Sequence, residues 1–389
     1  MRIVVVGGGI GGLAAARGLW LAGFDVVVLE RERTDEEIGG GILLGPNATR
    51  VLRRLGVGAG LDKIGVTPQA VRLVRWSNDA LLSDFDLARD AERRYGAPYY
   101  GIYRPELVEL LAAGLPDDMV RHGAEVVGVT NGPTGAEVRL ADGSVEAGDV
   151  VVGADGMHSV VRGATVGDVN ARFSRMVAYR AMIPWQKLPE GTGTVVRNWL
   201  GPGRHMNTFP MGAGARYLGM IAVVPEPVWS TESWTARGTV EDLRAHFDGW
   251  SPGVHALLDV VTDPVYRWAL HDREPMPHWS TTHTTLLGDA CHPMLPFMAQ
   301  GPGQAIEDAA ALAACLRRNR ADVPSALARY EVARQPHTAR IQRMSWSNNT
   351  SFHLPDGPQQ ELRDRGLSGS RSTEGLHWLY DNDPEHLPD

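Results

Sequence analysis

Apolar residues along the chain change period in an order that predicts secondary structure. Arg2–Val6 is a short β-branched run that stops at glycine, residues 10–22 read as a helix, and residues 25–29 are a second apolar run. Strand, helix and strand in that order predict a β-α-β unit. Further helices are expected over 46–55 and over 105–115, the latter with Pro105 at its first position, where a missing N–H costs nothing. Between 120 and 152, short apolar segments are divided by Asn131-Gly132 and Asp142-Gly143, which predicts hairpins. From 174 to 277 the pattern changes. Six of the eleven tryptophans fall there, and strand-like runs at 194–200 and 217–224 replace the glycine-and-helix pattern. A buried strand at 284–287 and helices at 305–316 and 324–347 then return the chain to the style of its beginning. Residues beyond 353, rich in Pro, Gly and charge, are expected to be a less regular peripheral segment.

This reading gives an α/β protein with two lobes. Residues 1–70, 99–173 and 278–352 form the first, and 71–98 with 174–277 form a second, mostly β lobe inserted into it. Residues 353–389 lie outside both. The length of 389 residues agrees, because single cores stop growing at about 250–300 residues.

Composition narrows the partners. The net charge of −8 arises from 46 acidic and 38 basic side chains without long single-sign runs, which argues against nucleic acid or an anionic membrane and for small molecules. The chain is expected to act as a monomer or homodimer. Cys291 and Cys315 make no disulfide framework and no metal-binding pair, so a reducing, cytoplasmic setting is expected. The apolar N-terminal stretch is interrupted by Arg17, Asp25 and five glycines and has no cleavage site, so it reads as neither an export signal nor an anchor.

Gly7-x-Gly9-x-x-Gly12, with Gly11 inside it, lies between the first strand and helix. There the first glycine permits a tight turn, the second lets the backbone approach a pyrophosphate, and the third lets helix pack on strand. Glu30 ends the next strand eighteen residues beyond Gly12, where a carboxylate accepts hydrogen bonds from ribose hydroxyls; Arg31 follows it. These residues predict a dinucleotide site without choosing between FAD and NAD.

Two distant segments make the choice. One is Gly153-Ala154-Asp155-Gly156 with Ser159 and Arg162. The other is Gly288-Asp289-Ala290-Cys291-His292-Pro293, continuing through Pro296, Ala299-Gln300-Gly301 and Glu307-Asp308-Ala309. With the N-terminal glycines they resemble the three fingerprints of the single-component (class A) flavoprotein aromatic hydroxylases, the family of para-hydroxybenzoate hydroxylase and the salicylate hydroxylase-like monooxygenases. The likeness runs over roughly residues 1–350.

The resemblance implies a Rossmann-like FAD-binding domain of the GR2 type, an inserted substrate domain and C-terminal helices. It places Asp155 near the FAD pyrophosphate and the path of the visiting nicotinamide nucleotide, Asp289 on the ribityl chain, and Arg104, in Tyr103-Arg104-Pro105, on the FAD phosphates. Gly301, Gly303 and Gln304 would offer amides to the flavin's pyrimidine carbonyl, ahead of a helix starting near Gln304. The implied activity is NAD(P)H- and O2-dependent hydroxylation of a small aromatic substrate through a flavin hydroperoxide, with or without decarboxylation. NADH or NADPH would visit transiently, since no second nucleotide fingerprint is present.

The substrate side is carried by fewer residues. His205, in Gly201-Pro202-Gly203-Arg204-His205, is similar to an active-site histidine of salicylate-, hydroxybenzoate- and hydroxynicotinate-type members, and is the expected base or proton relay. Some of those members have a tyrosine four residues later; here it is Phe209. Pro296 and Gln300 match the flavin- and substrate-facing turn. Asp289, Cys291 and His292 are too closely spaced on one loop to offer zinc a tetrahedral set, so no metal is expected, and no Gly-x-Ser-x-Gly elbow is present. An FAD-dependent oxidase or dehydrogenase, or a non-catalytic flavin redox sensor, would carry the same nucleotide motifs.

Overall fold

Residues 1–33, 40–167, 170–228, 236–262, 265–368 and 373–386 are described by a computed structural model of the chain. At its centre five strands pair in parallel in the order Thr284–Leu286, Val150–Gly153, Arg2–Val6, Asp25–Glu30 and Val120–His122. Both faces are covered, by helices and by the antiparallel strands Ala136–Leu140 and Val145–Gly148, which pack against Val150–Gly153 and Arg2–Val6, so the strands read as continuous β-branched runs: Ile3, Val4 and Val5 are fully buried, as are Val150, Val151 and Val152. The helix Ile10–Leu21 packs against Gly301–Arg318. The expected hairpins form a separate antiparallel sheet of Val126–Asn131, Ala136–Leu140 and Val145–Gly148.

The second lobe is built on an eight-stranded sheet. It takes Val71–Arg75 and Leu81–Phe85 from the early chain and six strands from Arg172–Pro184 to Val265–Asp272. Side chains alternate across it with period two. One face carries Met206, Met220, Ala222, Val224, Tyr179 and Trp199 onto the short helices Val240–His246 and Pro252–Leu258. The opposite face carries Ala178, Val223 and Trp268 onto Leu295 and Phe297 of the nucleotide lobe.

The helix expected to start near Gln304 starts at Gly301, because Pro302 is already in its first turn, where proline's missing N–H is harmless. The chain past 353 is more regular than expected. It forms the helix Pro358–Ser368, whose polar sequence buries only Gln360 and so gave no apolar periodicity to read.

Candidate active site

The three motif segments, far apart in sequence, end side by side at the C-terminal edge of the parallel sheet. Gly7 has φ +103°, and a Cβ there would lie 2.4 Å from the Ala154 carbonyl oxygen, so the first loop and the Asp155 loop touch through backbone alone. At Gly12 a Cβ would meet the Gly7 carbonyl oxygen at 1.9 Å. At Gly9 it would meet no protein atom within 4 Å. The helix beginning at Ile10 has no side-chain cap and no acid in its first turn, so its amide dipoles face that open side.

Glu30 sits beside this cradle. One carboxylate oxygen accepts the Gly8 amide at 2.5 Å and the other accepts the Glu32 amide at 2.9 Å. Arg31 is exposed and paired with Glu32 at 3.3 Å. A loop open at its glycine, an uncapped helix end and a carboxylate alongside fit the adenosine and pyrophosphate of a dinucleotide.

Asp155 turns inward to the helix that follows it. Its oxygens accept from Ser159 Oγ at 2.5 Å and from the amides of Val160 and Val161 at 2.8 and 3.2 Å. Burial pushes its carboxyl up, against those three hydrogen bonds, which pull it down. Ser159 caps the same helix by accepting the Arg162 amide. Arg162, buried, donates to the Ala290 carbonyl at 3.3 Å and ties the second motif to the third.

Asp289 is exposed on the single turn Gly288–Ala290. The surrounding bulk raises its carboxyl, opposed by His292, Arg104 and Arg273. Arg104 opens the helix Arg104–Ala112, and its amide donates to the Gly40 carbonyl at 2.9 Å. Two arginines thus converge on the third-motif carboxylate, one from each lobe.

Behind that loop lies a fully buried ionic network. Asp308 accepts from the Gly288 amide at 3.0 Å, His292 Nε2 at 2.6 Å and Arg334 Nε at 2.7 Å; Glu307 accepts from Arg334 Nη1 at 2.7 Å. Burial alone would raise the Asp308 carboxyl, but His292 and Arg334 outweigh it and hold it at about 2. Cys291, His292 and Asp308 bring three possible ligand atoms within 4.8 Å. The Asp308 oxygens are already committed to the amide, imidazole and guanidinium, which makes this a fastening for the loop.

Pro296 is exposed at the head of a single turn, Pro296–Met298. Gln300 is buried, and its side-chain oxygen accepts from Asn47 Nδ2 and Gln304 Nε2, each at 3.1 Å. That leaves the Gln300 side chain only its N–H groups to offer a ligand. Gln304 is itself held by Glu307 and Arg334. Gly301 and Gly303 occupy the first helical turn, where their amides are not needed by the helix.

His205 lies on the sheet face turned to this loop, with its ring edge-on to Phe297 at 5.1 Å. Its Nδ1 is 2.7 Å from His353 Nε2. Burial, and then His353, push the His205 imidazole well below 6.5; burial also brings His353 down to about 4. Both rings are therefore neutral at pH 7. His353, Arg273, Arg334 and Arg180 on the facing sheet were not found from sequence. None of these four lies in a motif, and each reaches the site through contacts distant in the chain; Glu307 and Asp308 belong to the third fingerprint, but their pairing with Arg334 was not read there.

Residues 1–345 match the family model described as the FAD binding domain. The chain is 40% identical over 380 residues, 97% of its length and 95% of the relative's, to the 3-amino-4-hydroxybenzoate 2-monooxygenase PtnB3 of Streptomyces platensis. It is 35% identical over 350 residues to a 6-hydroxynicotinate 3-monooxygenase of Pseudomonas fluorescens, covering 89% and 91% of the two chains. Among solved structures it is similar to Klebsiella pneumoniae HpxO complexed with FAD and uric acid, with a TM-score of 0.87, 26% identity and coverage of 100% and 97%. It is likewise similar to a salicylate hydroxylase substrate complex, with a TM-score of 0.84, 26% identity and coverage of 99% and 96%. Among the described residues, no helix is long and apolar enough to cross a membrane. With three motifs converging on one cradle and whole-chain likeness to these monooxygenases, the chain belongs to the FAD-dependent aromatic hydroxylase family, enzymes that use NAD(P)H as co-substrate.

Proposed function

We propose that this enzyme inserts one oxygen atom from O2 into a small aromatic ring bearing a carboxylate and a hydroxyl or amino group. NAD(P)H and a proton are consumed, and NAD(P)⁺ and water leave with the hydroxylated product. The observation that carries the reading is the sheet face opposite the Asp289–Gln300 loop, where a neutral buried histidine and a half-open polar strip face the flavin motifs. The substrates named for the relatives, 3-amino-4-hydroxybenzoate, 6-hydroxynicotinate and 3-hydroxybenzoate, share a ring carboxylate and a hydroxyl.

In this reading Gly7, Gly9, Gly11 and Gly12 receive the FAD pyrophosphate, and Glu30 and Arg31 flank the adenosine ribose. Arg104 meets the phosphates and Asp289 the ribityl hydroxyls, while Asp155 holds the second loop in place through its own helix. The Gly301, Gly303 and Gln304 turn supplies amide dipoles to the flavin's pyrimidine side. When bound, FAD carries two electrons from NAD(P)H and activates O2. The protein's own part is placement, exclusion of water and proton movement.

His205 Nε2 takes the substrate's hydroxyl proton, which makes the ring more electron-rich, as its Nδ1 proton passes to His353 Nε2. Pro296 fixes the turn over the substrate, and Gln300 offers it a donor. The test is NAD(P)H oxidation with aminohydroxybenzoates, hydroxybenzoates and hydroxynicotinates, scoring product mass and peroxide together. A gain of one oxygen atom is expected; stoichiometric hydrogen peroxide without an oxygenated product would overturn the reading.

A further inference from the structure

Register across the large sheet lines up Tyr266, Arg180, Ile221, Asn207 and Asn198 in one row. Every member is partly open to solvent. The next row, Trp268, Ala178, Val223, His205 and Leu200, is buried, with Trp268, Ala178 and Val223 packed onto Leu295 and Phe297. On the other side Phe209 and Gly219 are buried, and Phe209 presses so closely on the strand Gly41–Leu44 that a Cβ on Gly41 would come within 2.5 Å of its ring. The half-open row is therefore a trough between two places where the lobes touch.

Arg180 is the basic residue of that trough. Its guanidinium carbon lies 3.6 Å from the centroid of the Trp268 ring, and its Nε is buried without a hydrogen-bond partner among the described residues. No described carboxylate pairs with it, whereas two other arginines of the sheet are matched. Arg172 holds Asp272 at 2.9 Å and Arg267 holds Glu226 at 3.0 Å. The charged neighbour of Arg180 is another cation, Arg104, and burial with that repulsion brings Arg180 down to about 9. A guanidinium kept in such surroundings is stabilised by an anion that arrives with the ligand.

We infer that Arg180, backed by Trp268, is the anchor for the ring carboxylate of the substrate and makes the enzyme selective for anionic aromatic rings. The inference rests on the hydroxylase reading and adds the residue that selects within it. A planar fork meets a carboxylate with two parallel hydrogen bonds, and the indole behind it fixes the fork's plane. With the carboxylate in the trough, the ring lies beside the His205 row.

The test uses the FAD-loaded enzyme and the change in flavin absorbance on titration with 3-amino-4-hydroxybenzoate, 3-hydroxybenzoate and the matching neutral benzamides. Wild type is expected to prefer carboxylate over carboxamide by about 100-fold. Arg180→Gln should weaken carboxylate binding by about 100-fold, leave carboxamide binding within about threefold, and so erase the preference; Arg180→Lys should restore part of it. FAD affinity, followed by flavin fluorescence, should be unchanged in both variants, and their melting temperatures report folding. Absence of the preference in wild type, or its survival in Arg180→Gln, overturns the inference. An equal loss of FAD affinity with the preference intact makes the cofactor the counter-anion instead. NAD(P)H-coupled oxygenation of an uncharged ring, with no response to carboxylates, would remove the Arg180 inference and leave the hydroxylase reading standing.

Discussion

His205 Nδ1 and His353 Nε2 lie 2.7 Å apart, with the two rings stacked at a centroid distance of 4.9 Å and an interplanar angle of 27°. The pair joins a buried strand of the second lobe to the cap of the helix Val323–Phe352. The backbone repeats the link, since the Gly203 amide donates to the His353 carbonyl at 3.0 Å. A hydrogen bond to the Asn349 carbonyl favours a proton on His353, so its Nδ1–H points there and its Nε2 accepts from His205. His205 Nε2 is left as the basic lone pair. In the proposed mechanism, proton transfer from a substrate would shift each ring to its other tautomer, and His353, which is partly exposed, would release the proton to water.

Removing either ring should slow turnover in different degrees. His205→Asn should lower kcat by about 10²–10⁴, the usual contribution of a positioned acid–base group, and His353→Asn by a smaller factor with KM little changed. Both losses should shrink as pH rises past the substrate's own hydroxyl pKa, because the proton then leaves without help. A kcat profile parallel to wild type at every pH would remove the histidines from the proton path.

Stability should fall in mild acid because of the same pair. The folded imidazoles lie below their ordinary 6.5, His353 at about 4, so the unfolded chain binds protons first as pH falls. The contribution is complete above 6.5 and is lost as pH falls, the share of His353 levelling off below about 4 and that of His205 following in the same direction. Melting temperatures across this range should drop less steeply in a His205→Asn, His353→Asn double variant than in wild type.

Glycines of one motif should fail in different ways. Gly12→Ala puts a methyl 1.9 Å from the Gly7 carbonyl, so the loop itself must move and the protein should melt earlier and purify without flavin. Gly9→Ala meets no protein atom within 4 Å, so it should fold normally and still bind FAD weakly. Flavin absorbance per protein, measured beside the melting temperature, separates the two. Full flavin content in Gly9→Ala would place the pyrophosphate elsewhere.

Asp308→Asn should destabilise the fold by about 3–5 kcal/mol, since it removes one of the two carboxylates that compensate the buried Arg334 and disturbs the acceptor of the Gly288 amide and His292. Urea unfolding of the FAD-free protein measures this without a contribution from ligand. A change under about 1 kcal/mol would show that Glu307 alone compensates Arg334.

Motifs were legible where chemistry depends on backbone shape at one point in the chain. Gly7, Gly12 and Glu30 are recognisable because a tight turn, a close approach and the proposed ribose partner each demand one residue type at a fixed spacing. Arg180 and Asn207 carry no such signal. They share a trough only through the register of three strands, with Ile221 between them. Gln300 shows the same limit, because its oxygen is occupied by Asn47, 253 positions away. The helix beyond 353 escaped notice because it fully buries only Gln360 and so shows no apolar stripe, and His353, at the cap of the preceding helix, lies in no motif.

The C-terminal chain is fastened to the second lobe at several further points. Arg172 stacks on Trp346 at 3.6 Å, Arg75 pairs with Asp356 at 3.1 Å and with Asp364 at 3.4 Å, and the Trp76 indole donates to Asp356. For recombination between relatives, the heritable module is thus discontinuous. A chimera that imports a foreign sheet while keeping the native tail would place an ill-matched residue against His205, and one that exchanges sheet and tail together keeps the seam intact.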